Sequence, residues 1–428
     1  MKQKLSILLL LPLLMFGMIA CQQKDSRQMS KANPLALQGK ARQTTLKEVE
    51  HHYYYQQLSH YQKENYLILR QKARHYHDTI HLAPDSHQGL LKTLDAFIMD
   101  NPDLYWLTGS SYQLEENKDE AFISFKVPKE AKANYQTLQQ LGDQIVVLAP
   151  QQDDYQKVAY FYNYIIDHTE YNSKALEQEQ AGNPALVAAN QDIKSVLMDH
   201  LSVCNGYAQT FQFLCQKAGL DAIYVRGRVQ SSRNKQDINH AWNLVKINHT
   251  YYAVDTTWGD PTFSQTVSGQ AKLQVPNKGQ FLCLPDKLME QTHQANLKLA
   301  IKPNQTKKDS KEDGDVWTLP KCPDDSLLFA KQHHFYLEHF EQSQALTLLK
   351  QQLAKGEATP SIQVANPDDY HRLERSLTRN ATSYHELFQA YWPNYQGFTY
   401  LSSPETNSMT FFNHCWPCRK TKAVTKTR

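Results

Sequence analysis

The stretch DHLSVCNGYAQTFQFLC, residues 199–215, predicts one helix that carries two cysteines. Ser202 is a typical N-cap residue, so the helix is expected over residues 203–218 with Cys204 in its first turn. Unpaired backbone N–H groups and the helix dipole favour a thiolate there, and the thiolate is the nucleophilic form of cysteine.

Cys215 lies about 16 Å further along the axis at ~1.5 Å per residue, too far for a disulfide. It continues the apolar stripe of the helix, which consists of Tyr207, Phe211, Leu214 and Ala218. We therefore interpret Cys204 as a candidate nucleophile and Cys215 as a packing residue.

A nucleophilic thiolate needs a base, and the strand-like runs after the helix provide one. These runs are AIYVRGRV (222–229), AWNLVKIN (241–248) and TYYAVDTTW (250–258). A two-residue turn at Asn248-His249 would pair Ile247 with Thr250 and join the last two runs into an antiparallel hairpin.

This hairpin register brings a histidine and a carboxylate together. His240 falls opposite Thr257, which makes Asp255 its diagonal neighbour on the same face of the sheet. Diagonal neighbours are about 7–8 Å apart at the backbone, a distance that an imidazole–carboxylate hydrogen bond can bridge. Taken singly, a cysteine at a helix start, a histidine near a strand and an aspartate at a turn are more often structural. Together, in the order Cys204, His240, Asp255, they favour a catalytic triad.

The same blocks resemble the transglutaminase-like superfamily, which has a papain-like fold. They are SVCNGYAQTFQFLCQKAGLDAIYVRGRV, NHAWNLVKI and YYAVDTTWGDP, with the pattern C-x-G-Y-A, then H-A-W-N-x-V, then a hydrophobic run ending V-D-x-T-W. The resemblance covers about residues 150–295. It implies that Cys204 is the nucleophile, that His240 is the general base and acid, and that Asp255 orients His240.

Further similarities lie outside these blocks, and so does one departure. Phe281 and His293 echo the closing segment of bacterial members, and DNPDLYWL (100–107) resembles the amino-terminal module of bacterial lipoproteins of this kind. The family commonly has a glycine just before the cysteine, where this chain has Asp-His-Leu-Ser at 199–202. We expect this change to reshape the approach to the oxyanion hole, whose backbone donor would be the Cys204 amide.

Three aromatic residues are candidates for the substrate cleft. Tyr171 is a candidate for the second oxyanion donor. Trp242 and Trp258 either wall the acyl-binding cleft or pack in the core, and the sequence leaves both interpretations open.

The predicted fold class is α+β, with the cysteine-bearing helix packed on an antiparallel sheet and small α+β domains on either side. The expected segments are a lipoprotein signal peptide (1–20), a flexible tether (21–45), an N-terminal α+β module (46–148), the transglutaminase-like catalytic domain (150–300), a linker (301–323), a C-terminal α+β domain (324–413) and a basic tail (414–428).

The N-terminus predicts a lipid anchor. Lys2 and Lys4 precede an apolar run that is short for a membrane span and ends in Met18-Ile19-Ala20-Cys21, which resembles a bacterial lipobox. In such a sequence Cys21 becomes the lipidated first residue of the mature chain, with enough acyl chains for stable anchoring. We therefore expect a protein on the extracytoplasmic face of the cell membrane. The alternative is an ordinary secretory leader in which Cys21 has no special role.

Composition and the remaining motifs exclude other classes. The net charge of +3 argues against nucleic acid as a partner. The seven cysteines are too sparse for a disulfide scaffold, so few disulfides or none are expected. Cys415 and Cys418 have the spacing of a redox pair but lie in a basic tail, and the His/Tyr-rich helices lack a metal-binding arrangement. We expect neither a metal nor another cofactor.

The expected activity is a cysteine hydrolase or acyltransferase that attacks an amide of a protein or cell-wall peptide and forms a thioester. A peptidase or amidase outcome is favoured, because Cys204 lacks the glutamine–cysteine–tryptophan context of animal cross-linking enzymes. The alternatives are a cross-linking transglutaminase and a non-catalytic surface protein that binds peptide or wall polymer.

Overall fold

The computed structural model describes residues 33–107, 112–183, 185–230, 237–260, 279–299 and 315–413. The predicted signal peptide, Cys21 and the basic tail with Cys415 and Cys418 lie outside these ranges. Across the ranges that are described, no helix combines the length and the apolar character needed to cross a membrane.

The N-terminal part contains helices packed around a small antiparallel sheet with the strand order β1-β3-β2. Its elements are α1 (Gly39–Val49), α2 (Tyr53–Gln56), α3 (His60–Ala73), β1 (Thr79–Leu82), α4 (His87–Asp100), β2 (Tyr112–Glu116), β3 (Ala121–Phe125) and α5 (Ala131–Leu148). Strands β2 and β3 are antiparallel neighbours and form a hairpin.

The central part contains the cysteine helix and an antiparallel sheet with the order β8-β7-β6-β9. Its elements are α6 (Asp154–His168), β4 (Glu170–Tyr171), α7 (Ser173–Gln180), α8 (Ala185–Ala188), α9 (Ile193–Leu197), β5 (Leu201–Ser202), α10 (Cys204–Lys217), β6 (Ala222–Val229), β7 (Ile238–Ile247), β8 (Thr250–Val254), α11 (Asp286–Met289) and β9 (His293–Ala295). Helix α10 packs on β6 and β7 and is covered by α5, α6 and α9. The predicted α+β class, with the cysteine helix on an antiparallel sheet, is confirmed.

The predicted cap of the cysteine helix is wrong. The N-cap of α10 is Val203, in an extended conformation, and no side chain caps the helix. Ser202 instead belongs to β5, and its hydroxyl bonds the Ser195 hydroxyl at 2.7 Å and the Asn190 carbonyl at 2.9 Å. These partners lie on the preceding segment, so the local signal for a cap is overridden by a tertiary contact.

The predicted tether also extends too far. Residues 39–45 belong to α1, and Asn33 is buried with its side chain donating to the Asn65 side chain at 2.9 Å. The described end of the segment 21–45 is therefore part of the folded body.

The N-terminal module and the central domain share one hydrophobic core rather than two. A buried ion pair joins them, because Asp95 of α4 accepts from both terminal nitrogens of Arg226 of β6 at 2.8 and 2.9 Å. The Tyr54 hydroxyl donates to the Tyr224 carbonyl at 2.7 Å, and the Gln212 amide donates to the Met99 carbonyl at 3.0 Å. Buried polar groups of the central domain thus find their partners in the module.

Parts of the predicted linker and the start of the predicted C-terminal domain also belong to the folded body formed by the N-terminal module and the central domain. Within the segment 301–323, Trp317 and Cys322 are buried in the shared core, as is Leu328 beyond it. The Trp317 indole donates to Asp95 at 3.0 Å. This stretch therefore packs against the shared core of the N-terminal module and the central domain. A second core begins near Phe340.

The C-terminal part has its own core, formed by helices on a sheet with the order β10-β11-β13-β12. Its elements are α12 (Phe329–Gln332), β10 (Tyr336–Leu337), α13 (Gln342–Ala354), β11 (Ser361–Val364), α14 (Pro367–Arg379), α15 (Ala381–Tyr391), β12 (Phe398–Ser403) and β13 (Ser408–Asn413).

Candidate active site

Cys204 is the first residue of α10 and is a half-buried free thiol. The first N–H groups of a helix have no partner within it, and here no side chain caps them. The thiol therefore lies in the electropositive turn that the sequence predicts.

The hairpin of β7 and β8 has the predicted register at its turn, where Ile247 pairs with Thr250. The ladder ends at Asn243 and Val254, so the expected pairing of His240 with Thr257 does not form part of it. The chain turns after Val254 instead.

The carboxylate of Asp255 holds that turn and reaches the histidine. Its Oδ1 accepts the backbone N–H groups of Thr257 at 2.8 Å and Trp258 at 3.0 Å. Its Oδ2 lies 2.7 Å from His240 Nε2, and both side chains are buried. The structure thus brings together the two residues that strand spacing predicts, by a turn rather than by a continued ladder.

The histidine is also linked to the thiol. Burial by itself would lower the pKa of His240, but the charge and hydrogen bond of Asp255 and a hydrogen bond with Cys204 raise it to about 10. Nε2 is occupied by Asp255, which leaves Nδ1 for the thiol. Asp255 shows the opposite balance, since burial would raise its pKa but His240 and His293 hold it well below the ordinary value.

A second histidine, His293 of β9, has no role in the triad predicted from the sequence. Its Nε2 lies 3.0 Å from the same Asp255 Oδ2, and its Nδ1 lies 2.7 Å from the Thr292 hydroxyl. The similarity to the closing segment of bacterial family members singled out His293, but it did not predict the contact with Asp255. Spacing could not find that contact, because His293 follows Asp255 by 38 positions.

His240, Asp255 and His293 are also residue types that bind metals, and their ligand atoms lie within 4.8 Å of one another. The distances of 2.7 and 3.0 Å are those of hydrogen bonds. Tetrahedral ligands at about 2.0–2.1 Å from zinc would be about 3.3–3.4 Å apart, further than either of these contacts. Hydrogen bonding therefore accounts for this cluster.

The three aromatic candidates differ in their positions. Trp242 is buried, with its ring stacked 6.3 Å from His240 and edge-on to His293 at 5.0 Å. Trp258 is half-buried, and its ring centroid lies 6.2 Å from that of His240. Tyr171 is buried on β4 with its ring centroid 6.2 Å from that of Tyr207 of α10. Trp242 thus packs behind the histidine, whereas Trp258 borders the site from a position with partial solvent access.

The close packing around Gly227 predicts that a single added methyl group there destabilises the fold. Gly227 pairs with His240, and a Cβ at Gly227 would lie 2.1 Å from the Gln294 carbonyl oxygen and 2.5 Å from the Trp242 ring. Gly227→Ala is expected to lower the free energy of unfolding by about 1–3 kcal/mol, because the backbone of β9 must move. Urea unfolding measures this, with the exposed neighbour Arg228→Ala as the control. Equal stabilities of the two variants would contradict the prediction.

The segment before the cysteine has a distinctive backbone conformation. His200 has a φ of 56°, in the left-handed region that favours glycine, and its Nδ1 lies 3.0 Å from the His168 carbonyl oxygen. The missing family glycine thus coincides with a turn in which a histidine adopts the conformation that glycine adopts without strain.

The described cysteines are free thiols that differ sharply in their environments. Cys215 is fully buried, and burial raises its pKa well above the ordinary value. Burial also raises the pKa of Cys283, and that of Cys322 to about 12.

Alkylation of the folded protein should distinguish these thiols. Iodoacetamide is expected to modify Cys204 while Cys215, Cys283 and Cys322 stay unmodified, since among these four described cysteines only Cys204 combines access with a neighbouring base. Peptide mapping by mass spectrometry reads the sites, and the unfolded chain is the control in which every thiol reacts. Modification of Cys215 at the rate of Cys204 would contradict this.

One family model matches the central part of the chain. Residues 140–256 match the model of the transglutaminase-like superfamily, and this range contains Cys204, His240 and Asp255. This part of the chain is a transglutaminase-like domain. The resemblance noted in the sequence is therefore confirmed, although His293 lies beyond the matched range.

Two curated relatives each align with about a quarter of this chain and with less than a fifth of their own length. The kyphoscoliosis peptidase of Mus musculus is 28% identical over 123 residues, which is 27% of this chain and 17% of that protein. The kyphoscoliosis peptidase of Homo sapiens is 28% identical over 114 residues, which is 25% of this chain and 16% of that protein. A crystal structure of a TGase is 17% identical with a TM-score of 0.27, covering 47% of this chain and 55% of that chain.

Proposed function

We propose that the protein is a cysteine hydrolase that cleaves an amide bond in a protein or cell-wall peptide through a thioester at Cys204. One observation carries this proposal. The half-buried thiol of Cys204 is hydrogen-bonded to His240, and His240 is hydrogen-bonded to the carboxylate of Asp255. The transglutaminase-like domain and a relative named as a peptidase support it.

In the first half of the proposed reaction, the Cys204 thiolate attacks the carbonyl carbon of the amide and forms a C–S bond. The carbonyl electron pair moves to the oxygen, which the backbone N–H at the start of α10 stabilises. When the carbonyl re-forms, the C–N bond breaks and the imidazolium of His240 gives its proton to the leaving nitrogen. An amine departs, and the acyl group stays on sulfur as a thioester.

In the second half, water attacks the thioester and His240 takes up its proton. The C–S bond breaks, a carboxylic acid leaves, and the thiolate–imidazolium pair is restored. Asp255 keeps one negative charge beside His240 throughout, which stabilises the imidazolium in both halves. An acceptor amine in place of water would give a cross-link by the same steps.

Mass spectrometry of peptide and wall-fragment substrates tests the proposal, with a Cys204→Ala chain as the blank. Hydrolysis yields two products across a cleaved amide, and only with the wild type. A product lighter by about 17 Da, the mass of the ammonia released, and joined to an amine would indicate cross-linking instead. Substrates left intact by the wild type would contradict both enzymatic functions and favour a binding protein.

We further propose that the enzyme is tethered through a lipid on Cys21 and works outside the cytoplasmic membrane. The lipobox-like sequence before Cys21 supports this. Labelled palmitate is expected to be incorporated into the wild type and not into Cys21→Ser, which should leave the membrane fraction. Equal incorporation or equal membrane association of the two chains would contradict the proposal.

A further inference from the structure

His293 is the one histidine besides His240 that contacts Asp255 within the described residues. Resting on the proposed function, we propose that His293 is a positioning residue, whose Nε2–H donates to Asp255 and holds the carboxylate that orients His240. The hydrogen-bonded order is then His293–Asp255–His240, and Cys204 is linked to it through His240 alone.

The hydrogen bonds of Asp255 show why a second histidine matters. A carboxylate has about four acceptor positions, and Asp255 fills them with two backbone N–H groups on Oδ1 and two imidazole nitrogens on Oδ2. The side chain is only 1% exposed, so no bulk water can replace a missing donor. Removal of His293 would leave a buried lone pair unsatisfied on the oxygen that faces His240.

The proton on Nε2 of His293 is required by Asp255, because an ionised carboxylate only accepts hydrogen bonds. The Thr292 hydroxyl lies 2.7 Å from Nδ1, so it can donate there while Nε2 keeps its proton for Asp255. Burial lowers the pKa of His293 and the charge of His240 lowers it further, which outweighs Asp255 and keeps the ring neutral. A neutral donor orients the carboxylate without adding a second positive charge to compete with the His240 imidazolium.

The ring of His293 is also held rigidly. It lies edge-on to Trp242 at 5.0 Å and Trp258 at 4.9 Å, and β9 pairs with β6 through Val229. Because β9 is an added edge strand of the central sheet, this strand brings to the site a donor that the helix and hairpin do not provide.

The test measures alkylation of Cys204 by iodoacetamide in the full chain. His293→Leu removes the donor and is expected to slow alkylation by about 10–100-fold, by analogy with the loss of a hydrogen-bond partner that orients a metal-bound histidine. His293→Gln offers an amide N–H at a similar reach and is expected to restore most of the rate. Ile223→Ala, a buried position of β6 that pairs with Leu244 and not with β9, is the structural control and should melt earlier but react like the wild type.

Thr292→Val is the second variant, since His293→Leu could fail to fold. It removes the partner of Nδ1 and is expected to slow alkylation less than His293→Leu does. The proposal is overturned if His293→Leu reacts like the wild type, if leucine and glutamine variants lose the same rate, or if Thr292→Val has no effect. Wild-type Cys204 that reacts no faster than a free cysteine would instead overturn the proposed function, so the two failures are distinguishable.

Discussion

Asp255→Asn is expected to lower kcat about ten-thousandfold, the loss seen when the orienting aspartate of a Ser-His-Asp triad becomes an asparagine. The new side-chain amide would keep its carbonyl oxygen on the backbone N–H groups of Thr257 and Trp258, where Oδ1 of Asp255 now accepts. Its NH₂ would then face His240 Nε2, which must become the acceptor. The proton of His240 moves to Nδ1, and Nδ1 can no longer take the proton of Cys204.

The same variant should change the pH dependence. In the wild type the pKa of His240 is about 10, so the imidazolium persists through neutral pH and the alkaline limb of the activity is expected near this value. Without the charge of Asp255, burial still lowers this pKa, and the alkaline limb should move down by about 1–3 pH units. Rates measured against pH for both proteins check this, with Asp221→Asn, at the far end of the sheet, as the control. An unchanged alkaline limb would contradict the assignment.

The free energy of unfolding should also depend on pH through His240 and Asp255. The folded-state pKa of His240, about 10, lies above its ordinary value of 6.5. The contribution of His240 to stability is therefore complete below pH 6.5 and is lost as the pH rises to about 10. Asp255 contributes above its ordinary value of 3.8, and this is lost as the pH falls through its lowered folded value. Asp255→Asn should flatten the free energy of unfolding between pH 6.5 and 10.

Asp95→Ala is expected to lower the free energy of unfolding by about 3 kcal/mol, because it leaves the half-buried guanidinium of Arg226 without its counter-ion. Asp95 is fully buried and accepts from both terminal nitrogens of Arg226 and from the Trp317 indole. The value is at the low end for buried pairs because the Arg226 side chain keeps 21% exposure. Chemical denaturation measures the loss.

The matched control replaces both charges by apolar side chains. Asp95→Leu with Arg226→Met removes the unpaired charge as well as the pair, so it should recover much of the stability lost in Asp95→Ala. A double variant less stable than Asp95→Ala would show that the two residues do not act as a pair. A loss below about 1 kcal/mol in Asp95→Ala would mean that the shared core, not this ion pair, joins the module to the sheet.

The sequence predicted the elements whose pattern is local. Strand β6 has the bounds of the run 222–229, α10 begins at Cys204, and the turn at Asn248-His249 sets the register of β7 and β8. Hydrophobic periodicity and turn preferences act over a few residues, so they can be seen without a fold. They were enough to place His240 near Asp255, although the carboxylate arrives through a turn.

The sequence could not show contacts that depend on distant segments. Ser202 has the chemistry of a helix cap, but Ser195 and Asn190 occupy its hydroxyl. The module at 46–148 reads as separable, since nothing local indicates that Asp95 will meet Arg226 after 131 positions.

Sequence by itself determined the fold class, the cysteine helix and the order of nucleophile, base and orienting carboxylate, because these follow from short-range patterns and from motifs that recur in a family. Only the tertiary structure decided that His293 shares the carboxylate of Asp255 and that Trp317 and Asp95 join the N-terminal module to the catalytic sheet. The physical reason is that a buried polar group must find a partner wherever the packed chain presents one. Which residue that is depends on the packing of the whole core and not on the neighbours in the chain.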